Sequence, residues 1–250
     1  MRISIVFVVM ALAAMLTGCQ LTENIYLSED GGGTMTFDID ASGVMALAGE
    51  QLAGTDKSDI DSVMTFKQLF DEKRDTIGKM TPAQQQQLKK FEDVRMRMQM
   101  SAVKKTLEVS LVKNFKSASE LQDMMDAVKA MQSLDGKNAL AGRDNPLGPM
   151  MEPGNTELRY TYDGKVFKRT LRVIDPVLQK AVRDTTGMMQ MLLSGSQYII
   201  KYHFPRKVKS VSNPDATLSA DGKTVTIPFP LADYFEQPDK MSLEVVLDKK

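Results

Sequence analysis

Alternation of apolar and polar residues predicts most of the strands in this chain. A period of two places the apolar side chains on one face of a strand. The clear cases are residues 34–40, 94–100, 106–115, 158–162, 166–174, 196–204, 223–229 and 242–247, with shorter strands at 24–28 and 217–220. In residues 94–100, Met alternates with Arg and Gln, and a helix continuing through Met98 is the alternative interpretation.

Capping residues followed by apolar residues at helical spacing predict the helices. Thr65, Thr81 and Ser117 each precede a Gln or Glu three residues later, which is the capping-box pattern. Gly78 suits the end of the first of these helices. Further helices are predicted near Ser42 and after Asp175. The inner face of the last one comprises Leu178, Val182, Thr185, Met189 and Leu192. The polar residues 53–62 and 205–213 are predicted to be loops.

Two Asp-Gly pairs, at 163–164 and 221–222, predict type I′ hairpin turns. A hairpin, then helices, then a strand occurs twice, in residues 24–115 and 157–204. We therefore predict an α+β fold, an antiparallel sheet of several hairpins with helices packed on one face. Residues 24–134 form its first half, the Gly- and Pro-rich residues 135–155 connect the halves, and residues 156–250 form the second half.

The first 19 residues carry a targeting signal. A positive start is followed by about thirteen apolar residues, too short to span a bilayer but typical of a signal peptide. The residues that follow resemble the bacterial lipobox: Leu16, Thr17, Gly18 and Cys19. The resemblance implies cleavage after residue 18, a thioether-linked diacylglycerol on Cys19, and acylation of the new amino terminus. Two or three acyl chains hold a protein stably in a bilayer. Residues 19–23 are then a lipidated tether.

Composition excludes several classes. The chain has 32 basic and 32 acidic residues, so no basic face for nucleic acid is implied. Its one cysteine is Cys19, and its one histidine is His203, which excludes a zinc site rich in His. Removing 18 of the 250 residues leaves 232, enough for a substantial core.

A family resemblance rests on the lipobox, the hairpin of residues 25–40 with its three glycines at 31–33, and the C-terminal residues 202–223. These look like uncharacterised lipoproteins of Bacteroidota and, more distantly, like the LppM-like lipoprotein domain. The resemblance implies an envelope lipoprotein that binds lipid. Gln20, in place of the Asp that retains lipoproteins at the inner membrane of enteric bacteria, favours the outer membrane, facing the periplasm.

Methionine suggests a ligand surface. The chain has 19 Met, and two groups of them flank the predicted sheet. Because Met is flexible, such a surface adapts to apolar guests. The proposed surface comprises Met96, Met98, Met100, Met189 and Leu192. A closed core is the simpler interpretation, and thioether binding of Cu(I) at these Met residues and their neighbours is a third.

Signals for catalysis are weak. Residues 38–43 resemble half of a calcium-binding loop, but Gly49 occupies the position that needs Glu. His203 has no Gly-x-Ser-x-Gly nucleophile motif to serve. We therefore predict a non-catalytic protein without cofactor or metal, whose partners are the bilayer and an apolar ligand or envelope protein. A carboxylate-based envelope hydrolase is the alternative, since acidic residues are abundant.

Overall fold

The computed structural model describes residues 18–43, 59–122, 155–185 and 195–249. The strands in these ranges are β1 (Gln20–Leu27), β2 (Gly33–Asp40), β3 (Ile60–Thr65), β4 (Arg95–Ser101), β5 (Thr106–Phe115), β6 (Thr156–Tyr162), β7 (Val166–Val173), β8 (Gln197–His203), β9 (Val208–Val211), β10 (Thr217–Leu218), β11 (Thr224–Pro230) and β12 (Leu243–Leu247). The helices are α1 (Phe66–Glu72), α2 (Arg74–Ile77), α3 (Pro82–Lys89), α4 (Pro176–Thr185) and α5 (Leu231–Glu236), with 3₁₀ turns at Ala118–Glu120 and Pro238–Met241.

Two sheets organise the molecule. The large sheet has the strand order β10-β11-β8-β1-β2-β5-β4-β3, and the small sheet has the order β6-β7-β12-β9. β1 is a central strand of the large sheet, antiparallel to β2 and parallel to β8. Gln20 thus lies opposite Gln197, and Tyr26 opposite His203. This parallel pair joins an early part of the chain to a late part.

The apolar face of the large sheet is covered in two ways. The small sheet covers the region around β8, where Phe167 packs against Tyr202 and Phe204 with ring centroids 5.4 and 5.7 Å apart. Short helices cover the region around β5. There the Nζ atom of Lys113 lies 5.7 Å from the ring centroid of Phe91, just after α3. Together they enclose one core, in which each buried large apolar side chain contributes about 1.5–3 kcal/mol.

The predicted α+β fold is wrong. The described residues are mostly strand, the large sheet is mixed, and a second sheet covers part of it. Alternation identifies the buried face of a strand correctly, as for Met35, Phe37 and Ile39 of β2. Alternation does not identify which strands are neighbours. The sequence therefore predicted a single sheet, whereas the hairpin β6–β7 belongs to a second one.

Individual elements show where local signals suffice. The capping box at Thr65 forms, and Gly78 ends α2. The capping box at Ser117 does not form, because Glu120 instead accepts a hydrogen bond from the backbone N–H of Lys116. Strand β9 lies within the predicted loop 205–213, and β3 begins inside the predicted loop 53–62 and continues to Thr65. β1 begins at Gln20, four residues earlier than predicted.

The two Asp-Gly turns differ from the prediction in type. Gly164 and Gly222 have positive φ values of 86° and 69°, as predicted. Among the non-glycine residues that the structure describes, only Lys105 has positive φ. A type I′ turn needs positive φ at both central positions. Because Asp163 and Asp221 lack it, neither turn is of that type.

Some predictions fall outside the described residues. These are most of the signal peptide, the helix beyond Gly43, the helical stripe after Gln122, the connection up to residue 154, and the segment 186–194 with Met189 and Leu192.

Candidate functional site

The predicted lipidation site lies at the start of the central strand. Cys19 is 5% exposed, and its backbone N–H donates to Ser196 Oγ over 2.9 Å. Its carbonyl accepts from the backbone N–H of Gln197 over 3.0 Å. Cys19 is thereby tied to the strand that runs parallel to β1. Of the other lipobox residues, only Gly18 belongs to the described ranges, and a side chain there would collide with the carbonyl of Gly195.

A buried ion pair lies four residues farther along β1. The side chains of Glu23 and Arg169 are both 0% exposed, with Arg169 Nη2 3.2 Å from Glu23 Oε2. Arg169 belongs to β7 of the small sheet, so this pair connects the two sheets. The pair lies inside the core that the sheets enclose.

Three tyrosine hydroxyls complete what we name the Glu23 cluster: Glu23, Arg169, Tyr160, Tyr198 and Tyr202. Tyr160 donates to Glu23 Oε1 over 2.6 Å, Tyr202 donates to the same oxygen, and Tyr198 donates to Oε2. Arg169 Nη1 also donates to the carbonyl of Met241 over 2.8 Å. In the described part of the chain, the Nε atom of Arg169 finds no acceptor.

The environment sets the charges of the cluster. Burial alone would raise the pKa of Glu23, but Arg169 and the three hydroxyls favour the carboxylate and bring its pKa below the usual value. Burial and the Glu23 charge raise the pKa values of the three tyrosines well above 10.0. Burial would lower the pKa of Arg169, yet Glu23 holds it well above its usual value. At neutral pH the cluster therefore contains one carboxylate, one guanidinium and three neutral phenols.

This chemistry suits a structural link better than catalysis. A carboxylate with a lowered pKa and four donors is a weak base, and a side chain without solvent access cannot contact a substrate. Sequence reasoning missed the cluster. The signal was present, because Glu23 shares the inward phase of Leu21 and Ile25, and Arg169 shares that of Phe167 and Leu171.

The proposed Met surface is only partly described. Met96 is buried at 4% exposure, whereas Met98 and Met100, on the same face of β4, are half-buried. Met98 packs against the core. Met189 and Leu192 lie outside the described residues, so whether they face β4 stays a prediction. The apolar face of β4 is thus less covered toward Met100 than at Met96.

The opposite face of the large sheet is polar. Asp38 accepts hydrogen bonds from Asn24, Thr36 and Ser110, and a shallow pocket of about 190 Å³ lies beside it. In the described ranges, no three His, Cys, Asp or Glu side chains are grouped as metal ligands. Of the calcium-like residues, Asp38 bonds across the sheet to Asn24 and Ser110, and Asp40 accepts from the backbone N–H of Ser42.

His203 lies on the same polar face of the sheet. It stacks on Tyr26 with ring centroids 4.1 Å apart, and its Nδ1 lies 3.1 Å from Thr224 Oγ1. Burial and the Lys201 charge lower the pKa of His203. The ring is thus engaged in stacking and one polar contact on the surface of the sheet.

Comparisons with known proteins give one weak structural match. No protein-family model matches the chain, and no curated protein matches it significantly. The chain is similar to the NMR structure of the folded domain of LppM from Mycobacterium tuberculosis. The TM-score is 0.41 and the identity 10%, over 93% of this chain and 91% of that one. The neighbour is of the LppM type that the sequence resembles, but a similarity this low supports no argument about ligand or function.

Proposed function

We propose that the chain is an envelope lipoprotein in which acyl chains on Cys19 hold a non-catalytic β-domain at a membrane. The observation that supports this most is the position of Cys19, directly before the central strand β1. In the described residues, no helix is long and apolar enough to cross a bilayer. The bond to Ser196 is compatible with the proposal, because an acylated amino terminus keeps one N–H to donate.

Burial of Cys19 implies an order of events. At 5% exposure, the residue is closed to a modifying enzyme once β1 has paired with β8. We therefore infer that lipidation precedes this pairing, and that the Cys19 side chain leaves the core in the lipidated protein so that its acyl chains reach the bilayer. Glu23, four residues after Cys19, then holds the lipidated strand in the core through its contacts with the rest of the Glu23 cluster.

Metabolic labelling with an alkyne fatty acid tests the anchor. The wild-type chain and a Gln20→Ser control should be labelled and sediment with membranes, whereas Cys19→Ala should lose both label and sedimentation. If Cys19→Ala is still labelled, the anchor is assigned to the wrong residue.

Fractionation tests the membrane. We propose the outer membrane, facing the periplasm, because Gln20 follows Cys19. In an enteric host, the wild type should fractionate with the outer membrane, and Gln20→Asp should move to the inner membrane. If both variants are found in the inner membrane, the proposed location is wrong while the anchor is unaffected.

An apolar ligand is the second part of the proposal. Met98, Met100 and Leu107 lie on the apolar face of the large sheet but are only half-buried. Such residues bind apolar molecules of varied shape. Because Met100 and Leu107 lie toward the Cys19 end of the sheet, a lipid acyl chain could enter this face from the bilayer.

A fluorescent fatty acid titrated into the delipidated chain tests this part. The double variant Met98→Gln/Met100→Gln should weaken saturable binding about tenfold or more, because two apolar contacts worth about 1 kcal/mol each are lost. Arg97→Gln is the matched control, since Arg97 directly precedes Met98 and lies on the opposite, exposed face of β4. Equal effects of the two variants, or no saturable binding by the wild type, would show that the proposed apolar ligand site is wrong.

A further inference from the structure

Cys19 lies at one end of the large sheet, and strand pairing shows which residues of the neighbouring strands lie at that same end. Gln20 lies opposite Asp40, and Asp40 opposite Glu108. The turn that joins β4 to β5 extends beyond Glu108 and contains Val103. Ile60, at the start of β3, is opposite Met100 and lies at the same level. We name this region the anchor end.

Helix α4 also lies at the anchor end. Pro230 is opposite Gln197, and the backbone N–H of Leu231 donates to the carbonyl of Ser196 over 3.0 Å, which places α5 there. Helix α4 packs on α5. Strand β7 runs toward the same end, since Phe167 contacts Phe204 near the far end and Arg169 contacts Glu23. Ile174 therefore follows β7 at the anchor end.

Exposed apolar side chains are concentrated at this end. In the described ranges, eight large apolar side chains are exposed, and five of them lie here: Val103 at 82%, Val177 at 79%, Ile174 at 67%, Leu178 at 49% and Ile60 at 37%. Leu218 and Tyr26 belong to the opposite half of the sheet, and Val63 to the middle of its edge strand. Single exposed apolar residues are ordinary, but their grouping marks an interaction surface.

We propose that the anchor end docks on the bilayer, with the β4–β5 turn and the first turn of α4 inserted among the lipid headgroups. The proposal rests on the lipidation of Cys19, since the same bilayer would receive the acyl chains. β1 begins at Gln20, so no flexible spacer separates the acyl chains from the domain. Whatever membrane takes the chains thus lies against this end.

The side chains at the anchor end fit an interface. Val177 and Leu178 begin a helix, Pro176–Thr185, with apolar residues to insert and Lys180 exposed beside them. In the other element, Val103 precedes the exposed Lys104 and Lys105. Lysine extends its ammonium toward lipid phosphates while its methylenes stay at the apolar boundary. Both elements therefore present apolar side chains next to cations.

Two leucines of equal exposure provide a matched test. Leu178 and Leu218 are both 49% exposed. Leu218 is opposite Val225, which is opposite Tyr202, five residues along β8 from Gln197 and about 17 Å away at the strand rise. An interfacial element reaches only about 5–10 Å into the bilayer boundary. A reporter at Leu218 should therefore stay in water.

The chain contains no Trp, so one introduced Trp is a clean reporter. The lipidated variants Leu178→Trp, Val103→Trp and Leu218→Trp are reconstituted into vesicles with and without brominated acyl chains. The first two should show blue-shifted emission that the brominated lipid quenches, and Leu218→Trp should show neither effect. Circular dichroism confirms that each variant is folded.

The outcomes separate the two proposals. If the variants do not float with vesicles, lipid anchoring fails, and docking fails with it. If they float but Leu178→Trp and Val103→Trp are quenched no more than Leu218→Trp, the anchor stands and docking is wrong. Quenching at only one of the two sites would overturn the arrangement in which both elements contact the bilayer together.

Discussion

Removing one charge of the Glu23 cluster should destabilise the domain severely. Glu23→Gln keeps the shape of the side chain but leaves Arg169 charged and 0% exposed. At the observed separation of 3.2 Å, an effective dielectric constant of about 20 makes the lost attraction about 5 kcal/mol. Breaking a buried pair from one side costs about 3–5 kcal/mol in general. The total free energy of unfolding of a domain is about 5–15 kcal/mol, so this loss is a large part of it.

A double-mutant cycle measures the pair itself. Glu23→Gln, Arg169→Met and the double variant are unfolded in urea and followed by circular dichroism. Because the double variant buries no charge, it should be more stable than the sum of the single effects predicts, with a coupling energy of about 2 kcal/mol or more. The matched control is Lys168→Met with Glu244→Gln, an exposed pair 2.7 Å apart on neighbouring strands.

The pH dependence of stability supplies the refuting result. In the wild type the folded pKa of Glu23 is lowered, so its stabilising effect is present above the unfolded pKa and is lost as the pH falls through the folded pKa. In Arg169→Met, only the three tyrosine hydroxyls still oppose the effect of burial on the Glu23 pKa. The folded pKa of Glu23 should therefore rise, and the loss of stability as the pH falls from 7 to 4 should be smaller than in the wild type. If this pH dependence is the same in Arg169→Met and the wild type, or if the coupling equals that of the exposed control, the electrostatic account is wrong.

The remaining predictions test the tyrosines, the anchor and the turns. The raised folded pKa values of Tyr160, Tyr198 and Tyr202 mean that stability is full below the unfolded pKa and falls as the pH rises above about 10. Each tyrosine adds up to about 1.4 kcal/mol per pH unit to this slope, and Tyr160→Phe should remove one such contribution in urea unfolding. In the unlipidated chain, the Cys19 thiol should react with a maleimide far more slowly when folded than in urea, and equal rates would contradict its burial. Ala at Gly164, where a side chain meets nothing within 4 Å, should cost about 1 kcal/mol through its positive φ alone, and thermal melts that show no loss would contradict that conformation.

Local sequence patterns were sufficient to predict most strands and helices, because alternation and capping act between residues that are close in the chain. β5 runs from Thr106 to Phe115 as predicted, since alternation determines which of its side chains are buried. The capping box at Thr65 needs only the Gln three residues later. Leu178 shows the limit. Its helical spacing predicted a buried position, but it is 49% exposed, because a stripe of apolar residues does not reveal what covers it.

Sequence patterns correctly identified the strand phases and the helix caps at Thr65 and Thr81, and they contain a lipobox-like motif. They do not reveal that β1 pairs in parallel with β8, that β6 and β7 belong to a second sheet, or that Glu23 contacts Arg169. The last two residues are separated by 146 positions in the chain. Alternation placed each of them on an inward face, but a buried charge is tolerated only with a partner, and that partner is brought close by strand pairing across the whole chain. Pairing depends on the fit of entire faces, which no short stretch of sequence contains.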